Sequence, residues 1–397
     1  MSIHPMRPIL ILHNYYQQGG GEDNAFAAES KLLTSHGHKV VHFTISNETI
    51  KSMSSLALAQ ATQWNKATYL KVRDIIRGER PWIAHFHNTF PLISPSAYDA
   101  CHEYGIPVIQ TLHNFRLLCP GALLFQKGRP CESCLGKSFP WPALIRVCYR
   151  ESFFATFTVC TMLSLHKALK TWVNKVDKYI ALTPFARSKF VEGGLPASKI
   201  MVKQNFLDLE PSSHSRMPEG AIFVGRFSFE KGIETILRAW ASIKEVPVRM
   251  VGDGPFLARM ERFIRHEGLS NVEIVKWVSR KEVLDLMKRS HFLIFPSECY
   301  ENFPMSILEA FACAIPVIAS RRGAMEEIIE NGKTGLHFNP GDPEDLAAKV
   351  KWAWSHPDEM IRMGRQARRE YEMRYTGKTN YEMLMEIYQN AVATRRS

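Results

Sequence analysis

A chain of 397 residues, 45% apolar and 22% charged, has the composition of an ordinary globular protein. It exceeds the size at which one hydrophobic core keeps growing, so two domains are expected. A net charge of +11 asks for an acidic partner, and nucleic acid, anionic lipid and a phosphorylated substrate all qualify.

Met1 to Pro8 carries no basic-apolar-small signal pattern and runs into the strand-like Ile9 to Leu12, so the reading is a protein that begins in the cytosol. Short β-branched runs then alternate with helix-period segments: Lys39 to Phe43, Trp82 to Phe86, Pro107 to Leu112 and Lys178 to Ala181 read as further strands. That alternation implies a parallel sheet covered by helices. Gly19-Gly20-Gly21-Glu22 follows the first strand, where it serves either as a tight turn or as a backbone lining for a phosphate site. His87-Asn88 and His113-Asn114 each follow a predicted strand. This puts both histidines at the ligand-binding ends of the strands rather than in the core, with His87, Asn88 and Asn114 as candidate acceptor-side residues.

Eight cysteines in such a chain argue against a disulfide framework. Cys101, Cys160, Cys299 and Cys313 are scattered in apolar surroundings and read as small core hydrophobes. Cys119, Cys131, Cys134 and Cys148 give C-x11-C-x2-C-x13-C within an irregular Pro- and Gly-rich insertion at about 114–150, which reads either as a structural zinc knuckle or as thiols without metal. The segment from Phe153 to Lys178 sets Phe153, Phe154, Phe157 and Trp172 beside Lys167, Lys170 and Lys175. It suits either an anionic membrane surface or a core-facing helix with a basic solvated side, and its apolar stretch to Leu165 is too short to span a bilayer.

Residues 204–220, rich in Pro, Ser and Gly, read as a connector between a first domain at 1–203 and a second at 221–370. Ala221 to Val224, Val248 to Val251, Val272 to Val275, Phe292 to Phe295 and Pro316 to Ala319 restart the strand pattern, implying a second sheet of the same kind. Two doubly wound sheets would turn their strands' carboxyl ends toward a shared ligand cleft. The tail at 371–397 reads as a terminal helix returning toward the first domain.

Gly225-Arg226 closes the first of these strands, and Lys231-Gly232 precedes the next helix. Arg forks onto two phosphate oxygens and Lys supplies a compact charge, so the pair suits a diphosphate. Val251-Gly252-Asp253-Gly254-Pro255 ends the next strand in a turn permitting close backbone approach. Glu301 and Glu309 then stand seven residues apart across a loop-to-helix junction. If the helix starts near Pro304, the N–H groups of Asn302, Phe303, Met305 and Ser306 are placed to take a diphosphate at the positive end of its dipole.

In this order, G-R…K-G, G-D-G-P, E-x7-E, then Pro316-Val317-Ile318-Ala319-Ser320 and Glu327, the sequence resembles the retaining glycosyltransferases of family 4, with their GT-B fold. The resemblance implies that Arg226 and Lys231 bind the donor diphosphate, Glu309 the nucleotide ribose and Glu301 the donor sugar, with His113 near the reacting carbon. It also implies that Gly20 and Gly21 face the phosphate, and that Val251, Gly254 and Lys276-Trp277-Val278 line the base. Ala314 and Lys276 stand where the family commonly has glycine, and Gly323-Ala324 replaces its Gly-Gly. The implied chemistry is metal-free: positive groups stabilise the departing diphosphate while a hydroxyl of a saccharide or lipid-linked acceptor attacks.

The expectation is a cytoplasmic, membrane-peripheral transferase using a UDP- or GDP-sugar in surface polysaccharide or glycolipid assembly. Two alternatives stand beside it: a nucleotide-sugar epimerase of the same architecture, and a basic nucleic-acid-binding protein suggested by Arg362, Arg365, Arg368 and Arg369. That arginine run lacks the interleaved aromatics of a base-stacking surface, so nucleic acid is not the expected partner.

Overall fold

The computed structural model describes residues 7–17, 19–208, 219–276 and 278–396. Its fourteen strands are β1 (Ile9–Tyr15), β2 (Val40–Ser46), β3 (Ile83–Asn88), β4 (Val108–Leu112), β5 (Phe125–Gln126), β6 (Arg129–Pro130), β7 (Lys178–Ala181), β8 (Ile200–Val202), β9 (Ala221–Val224), β10 (Val248–Val251), β11 (Val272–Val275), β12 (Phe292–Phe295), β13 (Val317–Ser320) and β14 (Gly335–Phe338). The chain divides into two compact units. One comprises 1–124, 131–205 and 377–397, and the other 125–130 and 206–376.

The first unit holds a parallel sheet in the order β2-β1-β3-β4-β7-β8. Ile9, Leu10, Ile11 and Leu12 are all fully buried, as expected for a central strand covered on both faces. The helix Gly21–Ser35 turns Ala25, Phe26, Glu29, Ser30, Leu32 and Leu33 inward, a 3.6-residue stripe whose one charged member is Glu29. The helix Gly377–Arg396 packs Leu384, Ile387, Tyr388 and Ala391 onto the same core.

The second unit holds a parallel sheet in the order β11-β10-β9-β12-β13-β14, two βαβαβ halves that diverge between β9 and β12. Ligands of such sheets bind at the carboxyl ends of the strands flanking that reversal. Its core gathers Phe223, Phe227, Trp240, Met250, Phe292 and Ile294, and Trp240 satisfies its indole N–H on the Val246 carbonyl at 2.9 Å. Both sheets agree with the doubly wound α/β expectation.

Three details differ from the sequence reading. The strands β8 and β14 were not anticipated, being only three and four residues long and without a clear period. The tail is two helices, Pro357–Arg374 and Gly377–Arg396, with the break at Tyr375-Thr376 rather than a start at 371. The β5–β6 hairpin, within the stretch assigned by sequence to the first domain, groups with the second unit, where Phe125 meets Phe229 at 6.3 Å between ring centroids. Of the expected connector, residues 209–218 lie outside the described residues.

Candidate active site

The loops after β9 and β12 lie at the reversal point of the second sheet, and they bring Lys231 and Glu301 together. After β9, Arg226 is exposed and has no ion-pair partner among the described residues. Lys231 ends a short turn, and Gly232 beyond it adopts φ 69°, with its Cα so close to β12's loop that a Cβ would stand 2.1 Å from the Pro296 carbonyl. Only glycine fits there, and it locks the lysine loop against the loop after β12. Gly254 does the same for the turn after β10: at φ 158°, a Cβ would lie 2.4 Å from the Phe227 carbonyl.

Lys231 Nζ meets Glu301 Oε1 at 2.6 Å, and Ser297 Oγ donates to the same oxygen at 2.6 Å. Burial by itself would lower the Lys231 pKa, but the Glu301 carboxylate outweighs it and the lysine is held charged, its pKa raised. Burial would likewise raise Glu301, yet Lys231 and Ser297 hold it below the usual carboxylate value. The helix Met305–Ala312 begins beyond Pro304 with no side-chain cap; Ile307 N donates to the Pro304 carbonyl at 3.2 Å, which leaves the N–H groups of Met305 and Ser306 for another acceptor. Asn302 beside it is buried, and its Oδ1 has no hydrogen-bond partner among the described residues. One turn into the helix, Glu309 faces Arg280 Nε at 3.4 Å, and burial raises its pKa despite that cation. Arg280 was not anticipated from sequence, since it belongs to a separate helix, Arg280–Lys288. The second unit therefore presents a cation, an uncapped helix start and two carboxylates, Glu301 on the loop before that helix and Glu309 within it, an arrangement suited to a diphosphate joined to hydroxyl-bearing groups.

In the first unit the expected residues separate. His113 is half-buried, whereas His87 is 1% exposed and packs between Glu29 and His113 instead of opening onto a ligand. Asn88 is also used structurally: its Nδ2 donates to the Asn14 carbonyl at 2.7 Å and its Oδ1 accepts from Phe90 N at 3.0 Å. The cause is a register shift between Leu12 and His13, which pairs His13 with Asn88 and draws the end of β3 inward. Asn114 accepts from Arg116 N at 3.0 Å and donates to the Tyr16 hydroxyl at 3.4 Å. Beside them Glu22, next to Gly21, has its pKa pushed up to about 8 by burial and by Asp23. Gly20 is extended, with open space where a Cβ would stand, so no steric demand for glycine exists there.

Two family models match the chain, Glycosyltransferase Family 4 over residues 28–211 and Glycosyl transferases group 1 over 208–370. The chain belongs to glycosyltransferase family 4. An uncharacterized glycosyltransferase of Methanocaldococcus jannaschii is 35% identical over 174 residues, 44% of this chain and 48% of that protein. A D-rhamnosyltransferase of Pseudomonas aeruginosa is 26% identical over 261 residues, 60% of this chain and 68% of its own. The chain spans about half the length of the curated relatives it matches. The Anabaena protein HepE, solved in complex with UDP and glucose, is 18% identical with a TM-score of 0.69, over 96% of this chain and 98% of that one. The fold is GT-B.

Departures from the family 4 pattern acquire physical meaning in the structure. Ala314, where the family commonly has glycine, sits at φ 52°, a left-handed conformation that disfavours a Cβ. Lys276 carries no clash and is ion-paired with Glu261 at 2.8 Å on the exposed side of its loop. Val278 is half-buried after β11, and Trp277 lies outside the described residues. Glu327 is exposed on the helix Ala324–Ile328.

The cysteines of the insertion do not form a ligand set as they stand. Among the described residues, the one group of metal-capable side chains with ligand atoms within 4.8 Å of one another is Glu29, His85 and His87. Cys131 Sγ instead takes an Arg146 N–H at 2.8 Å, and Cys134 is buried against Ala143 and Cys160, its pKa pushed up to about 12 by burial and by the neighbouring thiols. The four thiols are nevertheless mutual neighbours, since Cys119, Cys148 and Cys131 all act on the Cys134 thiol and Cys119 and Cys131 on that of Cys148.

On the helix Phe153–Ala168, Thr156, Val159, Cys160, Met162, Leu163 and His166 face inward, while Phe154, Phe157 and Leu165 are exposed. The outward side is thus apolar where a basic one was the alternative. No helix among the described residues is long and apolar enough to cross a membrane. The arginine run is partly neutralised, Arg362 by Glu359 at 2.6 Å and Arg368 by Glu372 at 2.7 Å.

Proposed function

We propose that this protein is a retaining glycosyltransferase that moves a sugar from a nucleoside diphosphate sugar, UDP- or GDP-linked, to a hydroxyl of a saccharide or lipid-linked acceptor. The observation that carries this reading is the Lys231–Glu301 pair, 2.6 Å apart beside the uncapped start of the Met305–Ala312 helix. Lys231, Arg226 and the first-turn N–H groups bind the diphosphate and stabilise its charge as it departs. Glu301, held ionised, accepts from a sugar hydroxyl, and Glu309 accepts from the ribose. His113 meets the transferred sugar near its reacting carbon. The leaving phosphate takes the acceptor's proton, so this chain's own contribution is electrostatic rather than nucleophilic, and no catalytic metal enters the scheme.

The acceptor class and the place of action are proposed from the basic charge and from one surface. Phe154, at 81% exposed, Ile145, at 74%, and Leu169, at 59%, share the stretch 145–170 with Arg146, Arg150, Lys167 and Lys170, which are exposed as well. Exposed apolar side chains interspersed with cations along one stretch of chain suit the headgroup region of an anionic membrane, where a lipid-linked acceptor for surface polysaccharide or glycolipid would be met.

Thermal-shift measurement against UDP-, GDP- and ADP-sugars tests the donor assignment, because a ligand of the native state raises the melting temperature. One nucleotide class is expected to do so. With that donor, Lys231→Ala is expected to lower turnover by about 100-fold or more, the scale of losing one preorganised group on a developing anion. Wild-type turnover in that variant overturns the assignment.

A further inference from the structure

His113 is the open end of a buried polar chain within the first unit. At the closed end, Lys203, 1% exposed, places Nζ 2.9 Å from Glu29 Oε1 and donates to Asn380 Oδ1 at 3.1 Å. Glu29 Oε2 in turn stands 3.2 Å from His87 Nε2. Among the described residues neither Glu29 Oε1 nor His87 Nε2 makes a hydrogen bond, although both distances are short. His87 Nδ1 then lies 3.0 Å from His113 Nε2.

Glu29, His85 and His87 have the composition of a cation site, but the cation there is already supplied by Lys203. His85 is also committed, with Nδ1 at 2.9 Å from the Tyr388 hydroxyl and Nε2 at 2.8 Å from Thr111 Oγ1. What the chain of contacts can do is fix proton positions. Glu29 Oε2 faces His87 Nε2 at 3.2 Å, where a bare ring nitrogen would set lone pair against lone pair, so His87 carries its proton on Nε2 even without an aligned bond. Burial keeps His87 and His113 neutral. A neutral His87 protonated on Nε2 has a bare Nδ1, which can only accept, so the proton it shares with His113 sits on His113 Nε2. His113 Nδ1 is then bare. It makes no hydrogen bond among the described residues and is not one of the buried atoms left without a partner, so it reaches the surface of this half-buried residue.

We propose that Glu29 and His87 are positioning residues that lock His113 as its Nε2–H tautomer and so present its Nδ1 as the acceptor for a hydroxyl of the transferred sugar. This deepens the function proposed above and rests on His113 meeting that sugar. The wrong tautomer would turn a donor toward a hydroxyl that must itself donate, an arrangement that orients the sugar poorly.

The first test needs no substitution. Long-range 15N–1H spectra of the full-length protein labelled with 15N-histidine are expected to show His113 and His87 both protonated at Nε2. A His113 proton on Nδ1 overturns the relay. With the donor found by thermal shift, His87→Phe, which keeps a ring and removes the acceptor, is expected to lower kcat about tenfold while leaving the donor KM within about twofold. His87→Gln, whose carbonyl can accept from Nε2, is expected to recover most of that loss. Equal kcat in wild type and His87→Phe, or a deficit that His87→Gln fails to reverse, overturns the proposal. His113→Ala separates the two levels: wild-type turnover there removes the reading on which the proposal rests, whatever the spectra show.

Discussion

Lys231 and Glu301 each sit where burial works against their charge, and each keeps its charge because of the other. A pair poised in this way is held ready for a third charged group, since a diphosphate arriving at Lys231 competes with a carboxylate already in place. Ala314 is a residue-scale feature of a different kind. Its left-handed backbone, φ 52°, is strained for any residue with a Cβ, and relief of that strain exceeds the extra chain entropy of glycine. Ala314→Gly is therefore expected to stabilise the fold by up to about 1 kcal/mol, read as a higher urea midpoint at unchanged slope. A lower midpoint would show that the alanine methyl contributes more by packing than its backbone loses.

Among the elements, β3 and β4 carry a feature with a consequence in acid. Burial lowers His85 to about 4, and it takes His87 and His113 well below their ordinary value. In the unfolded chain these histidines take up protons near pH 6.5, so between there and the folded values the unfolded state binds more protons and stability falls as pH falls. Glu29, Lys203, His13 and Asp23 surround the group and do not reverse that sign. The melting temperature is expected to drop from pH 7 to pH 5, and the amides of β1, β3 and β4 to lose exchange protection before those of β9 and β12. Glu22 acts in the opposite direction: raised to about 8, it contributes stability that is lost as pH climbs from its unfolded value through 8. Glu22→Gln is expected to flatten the fall in melting temperature between pH 6 and 9.

The elements also show what was legible in advance. Five of the six strands of each sheet announced themselves by short β-branched runs, while β8 and β14 were too short to do so. Arg226, Lys231, Glu301 and Glu309 were readable because they belong to two short segments, the loop after β9 and the loop and helix after β12, whose order along the chain is itself a pattern. The histidine chain was not readable, since Glu29, His87, His113 and Lys203 come from four separate elements and meet only through β-sheet order. Its one visible trace was a glutamate inside the apolar stripe of the helix Gly21–Ser35. His87 and Asn88 were misplaced because the bulge at Leu12/His13 leaves no mark in the sequence.

For the molecule as a whole, the exposed apolar face of the helix Phe153–Ala168 makes a prediction about where the protein resides. It is expected to pellet with vesicles containing anionic lipid, weakly with neutral ones, and less as salt rises. Phe154→Ser with Phe157→Ser is expected to halve the bound fraction or more without moving the melting temperature, because both rings are exposed. Equal pelleting by the double variant would assign this surface some other partner.

The way the chain is apportioned between the two units has its own consequence for anyone cutting or recombining it. It passes from one unit to the other at 124/125, 130/131, 205/206 and 376/377, so neither unit is a continuous stretch of polypeptide. A protease site engineered into 209–218 would yield a carboxyl-terminal fragment whose last helix is folded into the amino-terminal fragment's core, through Leu384, Ile387 and Tyr388. The two pieces should therefore co-elute after cleavage. A chimera that exchanges donor preference by swapping only residues 206–397 would carry a foreign helix into the recipient's first sheet and leave the β5–β6 hairpin behind, so a working graft has to respect all four crossings.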